Sequence, residues 1–177
     1  SGLVRRAKEG GDMAKDAIVL LKEDHKEVKK LFAQFEKKNT TDSNRAVIAE
    51  KVSELLTVHT YIENEVFYPA VRRLLPDLED DILESLEEHH VVDLLSVELL
   101  PLGPDNERFV PKFKVMMENV RHHIEEEEDG WFPKVREGLT RKQLQELGED
   151  LLTCKEIAPR HPAQPSALKK AVDAVIS

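Results

Sequence analysis

The chain of 177 residues is poor in the material of turns, cross-links and sheets. A single cysteine, Cys154, excludes an internal disulfide framework and any CxxC-type zinc or redox site. Seven glycines, nine prolines, 5% aromatics and few β-branched runs speak against a sheet protein. No apolar run approaches the roughly 18 residues of a membrane span; the longest is Ala17 to Leu21. Glycine-rich phosphate loops and GxSxG elbows are missing, which removes two common enzyme classes. Basic residues are outnumbered 35 to 26, and the net charge of −9 argues against a nucleic-acid surface as the main function. What is abundant is charge, at 34% of residues, in a length suited to one domain. That composition points to long amphipathic helices.

Residues 1–12 carry Arg5, Arg6 and Lys8 without an apolar segment behind them, so they do not read as a signal peptide. Met13 offers a start site, and 1–12 are expected to be an expression remnant or a disordered extension. The folded domain is expected over 13–153, followed by a Pro-containing tail over 154–177. With no disulfides and no span, the expected compartment is the cytoplasm, with no membrane partner.

Helical spacing dominates the remainder. Ile18, Leu21, His25, Val28, Leu31, Phe32 and Phe35 recur at three and four residues, one stripe of a first helix over about 16–38. After a turn (NTTDSN, 39–44), with Ser43 or Asn44 as N-cap, a second helix runs to about Leu75. Val47, Val52, Leu55, Leu56, His59, Ile62, Val66 and Phe67 lean inward, and Pro69 should kink its last turns. A third helix starts at Asp77 and carries Ile82, Leu86, His89, Val92, Leu95 and Leu99. A fourth, over about 107–136, carries Phe113, Met116, Met117, Val120 and His123, with Pro133 near its end. Thr140 and Gln143 form a capping box for a shorter fifth helix to Leu152, and 166–176 could form a last short one. Four helices with short connections predict an all-α, antiparallel four-helix bundle with a short additional C-terminal helix or tail.

The chain also repeats itself. His59, Glu63 and Pro69 stand at offsets of four and ten, and His123, Glu127 and Pro133 reproduce both. Phe67-Tyr68 is matched by Trp131-Phe132. Apolar residues follow His25 at +3, +6 and +10 (Val28, Leu31, Phe35) and follow His89 likewise (Val92, Leu95, Leu99). A spacing of four puts an imidazole and a carboxylate on one helix face, a turn apart. In a bundle, His25, His59, Glu63, His89, His123 and Glu127 therefore converge on the axis. Burying four imidazoles and two carboxylates without a cation would cost several kcal/mol per unpaired charge. A pair of metal ions, with imidazoles as terminal ligands and carboxylates bridging, satisfies all six. Donors without thiolate favour iron, manganese or zinc.

Phase selects His89 over its neighbour His90, which points about 100° away. His122 is one residue out of register. Glu125, Glu128 and Asp129 read as a solvated helix face. Tyr61 and Tyr68 could lie close to the metals, although packing beside Pro69 is the expectation for Tyr68, and Met116 and Met117 are expected to fill core. Cys154 has no pattern around it that would make a thiolate nucleophile.

The segments EDH (23–25), HTYIENEVFYP (59–69), EEHH (87–90) and HHIEEEEDGWFP (122–133), in this order, resemble the hemerythrin-like, HHE cation-binding family over about residues 16–137. The resemblance implies a four-helix bundle with two non-heme iron ions, an oxo or hydroxo bridge, and His25, His59, Glu63, His89, His123 and Glu127 as ligands. Oxygen carriers of this kind place an HxxxH pair on the third helix. Here Asp93 stands four residues after His89, and a fifth imidazole is missing unless His90 or His122 supplies it; Asp93, His90 and His122 are secondary metal candidates. The resemblance implies O2, H2O2 or NO as ligands, and the open position tilts the expectation from carriage to peroxide decomposition. The alternative is an oxygen, redox or iron sensor, or an iron-handling module, without turnover.

Overall fold

The computed structural model describes residues 15–162. The expectations for residues 1–12, for a start at Met13 and for a helix over 166–176 lie outside the described residues. Helices α1 (Ala17–Phe35) and α2 (Asp42–Ile62) form one hairpin, and α4 (Glu79–Leu99) and α5 (Phe109–Glu125) form a second. Short α3 (Tyr68–Leu74) and α6 (Phe132–Gly138) extend α2 and α5, each after a turn of π-helix. A 3-10 turn (Pro76–Leu78) leads into α4, and α7 (Arg141–Ile157) closes the described chain against α1 and α2. Among the described residues there is no strand. The all-α bundle of the sequence reading is the observed fold.

Local signals set the helix ends. Asp16 accepts from Val19 N at 2.9 Å and caps α1. Thr140 and Gln143 form the expected reciprocal capping box of α7. At α2 the cap is Thr41, accepting from Asn44 N, rather than Ser43 or Asn44. The helix thus starts two or three residues earlier, and Asp42 meets the positive end of the helix dipole. Phase shifts with it: Ile48 is buried while Val47 is 50% exposed, contrary to its expected inward lean. Helix α7 runs to Ile157, beyond the expected Leu152, because Leu144, Leu147, Leu151 and Cys154 continue one buried face.

The kink expected at Pro69 takes a specific form, and Pro133 repeats it. A proline within a helix lacks an N–H, and its ring crowds the carbonyl four residues back. Both helices widen ahead of it, over Glu63–Phe67 and Glu126–Trp131. The wide turns close with bonds to the fifth residue back, Tyr68 N to Glu63 O and Phe132 N to Glu127 O.

The core has two apolar clusters. One contains Leu21, Ile62, Phe67, Ile82, Trp131 and the inner face of α7. The other contains Val28, Phe32, Leu56, Val92, Phe113 and Val120. Each fully buried side chain of this size contributes about 1.5–3 kcal/mol. Helices α1, α2 and α4 each pass from one cluster to the other with a histidine between, His25, His59 and His89. Helix α5 stays in the second cluster and carries His123 near its end, before its extension reaches the first.

Candidate metal centre

His25 on α1, His59 on α2, His89 on α4 and His123 on α5 are all buried, and Glu63 and Glu127 are 0% exposed. The Nε2 atoms pair across the hairpins: His25 to His59 at 3.1 Å, and His89 to His123 at 3.1 Å. Each carboxylate lies between the pairs. Glu63 sets Oε1 3.1 Å from His59 Nε2 and Oε2 3.1 Å from His89 Nε2. Glu127 sets Oε2 3.2 Å from His25 Nε2 and Oε1 3.6 Å from His123 Nε2. The wide turns make this possible, because Glu63 and Glu127 sit where the helix loosens and can face the axis between two histidines.

Every outward ring nitrogen meets an oxygen. His25 Nδ1 lies 2.8 Å from Glu128 Oε1, and His59 Nδ1 3.2 Å from Asp24 Oδ2. His89 Nδ1 lies 2.8 Å from Asn64 Oδ1, and His123 Nδ1 2.5 Å from Glu88 Oε2. An acceptor at Nδ1 makes that nitrogen the donor, so a neutral ring turns its Nε2 lone pair inward, the tautomer a metal-binding histidine needs. Lys155 Nζ reaches Asp24 Oδ1 at 2.8 Å, joining α7 to this arrangement.

Without a cation such a geometry is unfavourable. With all four rings neutral, paired lone pairs at 3.1 Å would repel, and Glu63 Oε1 and Glu127 Oε2 are buried without a hydrogen bond. Stranded buried anions cost several kcal/mol each. The cavity favours positive charge. Burial alone depresses an imidazole, as it does His89, yet Glu63 and Asp24 hold His59 up at about 10, and Glu127 and Glu88 hold His123 up at about 9. Burial likewise pushes Asp24 and Glu63 up, but His59 outweighs it in both, helped by Lys155 at Asp24 and His89 at Glu63, and both carboxyls stay below the usual range. Imidazole and carboxylate donors without thiolate suit a first-row divalent or trivalent ion. Donor atoms of His25, His59, Glu63 and Glu127 lie within 4.8 Å of one another, as do those of Glu63, His89 and His123. The donor set fits a bound cation.

Tyr68 enters this centre, contrary to its expected place beside Pro69. Its ring stacks on His89, with centroids 5.2 Å apart, and its hydroxyl donates to Glu127 Oε1 at 2.6 Å. Glu63 Oε2 and His89 Nε2 lie at 3.4 and 3.2 Å from the same hydroxyl. The wide turn after Glu63 rotates residue 68 inward, while Pro69 faces solvent. Burial and the charges of Glu127 and Glu63 push the phenol well above its ordinary range, so it stays a proton donor. On the other side Phe132 stacks on His25 at 6.0 Å without a hydroxyl.

Glu128 is also corrected: it is mostly covered and holds His25 rather than forming a solvated face, whereas Glu125 and Asp129 are exposed as expected. His89 is buried, and its neighbour His90 is only partly so. His122 is exposed and lies 3.0 Å from Glu126 and 3.6 Å from Glu88, in a surface cluster apart from the axis. Asp93 is half-buried and joins no donor cluster among the described residues. Cys154 is buried on α7, and burial with Glu65 raises its thiol, which keeps it unreactive. Met116 and Met117 are core.

The outer partners Asp24, Asn64, Glu88 and Glu128 are missing from the sequence reading, yet a signal for them exists. Shifting the chain by 64 positions superimposes His25 on His89, His59 on His123 and Glu63 on Glu127. The same shift takes Asp24 to Glu88, Asn64 to Glu128 and Tyr68 to Phe132.

Residues 16–135 match the family described as Hemerythrin HHE cation binding domain. The fold is similar to the crystal structure of a hemerythrin HHE cation binding domain-containing protein from Mycobacterium kansasii, with TM-score 0.67, 24% identity, and coverage of 80% of this chain and 86% of that one. A DNA nickase of Nostoc sp. is 24% identical over 157 residues, 88% of this chain. The chain spans only 44% of that protein's length. An uncharacterised hemerythrin-like protein of Schizosaccharomyces pombe is 24% identical over 148 residues, covering 83% of this chain and 72% of that protein.

Proposed function

The chain belongs to the hemerythrin HHE cation-binding domain family, and from that premise we propose a non-heme di-iron protein that binds O2, NO or H2O2 and decomposes peroxide. His25 and His59 would hold one ion, His89 and His123 the other, and Glu63 and Glu127 would bridge. The observation that carries this reading is the size of the space at the imidazoles. A cavity of ≈ 10 Å³ is walled by Val28, Leu56, Val92, Val120 and Ile124. So small an enclosed space favours a ligand of a few atoms over an organic substrate.

When bound, a pair of redox ions supplies the two electrons exchanged as one peroxide is reduced to two waters and a second is oxidised to O2. The chain's own groups do the rest. The aliphatic wall keeps bulk water out. Asp24, Asn64, Glu88 and Glu128 fix the four rings. Tyr68 holds a proton on its hydroxyl beside Glu127, where a departing oxygen would need one. Asp93 in place of the carriers' second helix-three histidine leaves one position open, which supports turnover over reversible carriage.

A sensor or iron-handling role is the second reading. It is favoured by the histidine layer lying between the two apolar clusters, so that metal occupancy would change the stability of the whole bundle. The Nostoc relative is a DNA nickase, but the net charge of −9 supports a role without nucleic acid. Among the described residues no helix is long and apolar enough to cross a membrane; a cytoplasmic location remains part of this proposal.

Metal analysis of freshly purified protein, with its optical spectrum and oxygen evolution on adding peroxide, tests the reading. Two irons per chain, ligand-to-iron charge-transfer absorption and O2 release are expected. Iron without O2 release selects the second reading, and protein that never binds iron overturns both.

A further inference from the structure

The duplicated halves of the centre are not equivalent. His25 and His59 are each backed by a carboxylate, Glu128 and Asp24, and Lys155 sits on Asp24. Of the other pair, only His123 has a carboxylate, Glu88; His89 is backed by the neutral amide of Asn64. A carboxylate on the outward N–H makes an imidazole a stronger donor, and loss of such a partner typically weakens metal binding by about 10–100-fold.

The donor count differs in the same direction. Donor atoms of His25, His59, Glu63 and Glu127 all lie within 4.8 Å of one another, whereas around His89 and His123 only Glu63 joins at that mutual distance. Glu127 Oε1 stands 3.6 Å from His123 Nε2, the longest of the four carboxylate-to-imidazole approaches, and the Tyr68 hydroxyl already claims it. Its repeat equivalent, Phe132, makes no such demand on Glu63.

Resting on the di-iron reading, we propose that the two cation positions are unequal, the His25/His59 position filling first and retaining its ion, and the His89/His123 position being the exchangeable one. The asymmetry arises from two positions at which the repeat has diverged: Asn64 against Glu128, and Tyr68 against Phe132.

Titration of metal-free full-length chain with Co(II), followed by d–d absorption, reads the two steps directly. The expected result is two equivalents whose affinities differ by about tenfold or more. His123→Ala should retain one tightly held equivalent through dialysis against a chelator, and His59→Ala should retain none. Asn64→Asp gives His89 a carboxylate partner without touching a proposed ligand, and should narrow the gap between the steps. It serves even if a histidine variant fails to fold. Two equal equivalents in the parent chain, a tightly held ion in His59→Ala but not in His123→Ala, or a gap unchanged in Asn64→Asp would overturn the asymmetry and leave the di-iron reading standing. A parent chain that binds no metal would overturn both.

Discussion

The hydroxyl of Tyr68 donates to Glu127 Oε1 at 2.6 Å, although the two residues come from different copies of the internal repeat. Among the described residues Tyr68 is the one hydroxyl that bonds the two axial carboxylates, Glu127 at 2.6 Å and Glu63 at 3.4 Å. Replacement of Tyr68 by Phe keeps the ring that stacks on His89 and removes the proton. At saturating metal the variant should carry as many ions as the parent. Its peroxide decomposition should fall by about a hundredfold or more, the usual worth of a placed proton donor. Oxygen-electrode rates normalised to bound iron check this, and unchanged rates would remove Tyr68 from the chemistry.

Burial pushes the Asp93 carboxyl up to about 6 from the ordinary 3.8, with His90 opposing only in part. The folded chain therefore binds the proton more tightly than the unfolded one, and stability falls as pH rises from about 4 to 6. Above that window the ionised group costs on the order of 3 kcal/mol. Asp93→Asn should raise the melting temperature by several degrees at pH 7–8, with the gain shrinking below pH 6 and gone near pH 4. Metal content should not change. Paired thermal melts of variant and parent across this range supply the measurement.

Stripping the cation should destabilise the whole bundle, because the stranded carboxylates and facing lone pairs return. At metal concentrations about a thousandfold above Kd the bound state gains about 4 kcal/mol, or roughly 10 °C for a domain of this size. Calorimetry before and after chelation should show that drop, reversed on adding metal back. Affinity should also weaken as pH falls, since protons compete for the same imidazole nitrogens. A chelator-insensitive transition would argue that the layer is satisfied by protons alone.

Gly148 on α7 lies against the start of α1. A Cβ there would stand 2.3 Å from the Lys15 carbonyl oxygen and 3.2 Å from Ala17 N. Backbone cannot swing away as a side chain can, so Gly148→Ala should lower stability by about 1–3 kcal/mol despite its better helix propensity. Denaturant unfolding reads the change. A stabilised variant would mean that α7 does not pack here as described.

Several features were legible because they are local. The stripe of α1, the capping box at Thr140 and the HxxxE spacing follow from 3.6 residues per turn and need no partner helix. Where local signals competed, the reading slipped: Thr41, Ser43 and Asn44 are all competent caps, and Val47 and Ile48 are adjacent apolar residues. The widened turns at Glu63 and Glu126 were visible only as prolines, since a kink and a π-turn relieve the same clash.

By itself, the sequence determined four amphipathic helices, their duplication and the inward set of four histidines and two glutamates, all consequences of helical period. Tertiary structure alone decided that Asp24 holds His59, Glu128 holds His25 and Tyr68 reaches Glu127. Those partners are 35, 103 and 59 positions apart, and their meeting depends on how helices rotate and slide against one another as the two apolar clusters pack.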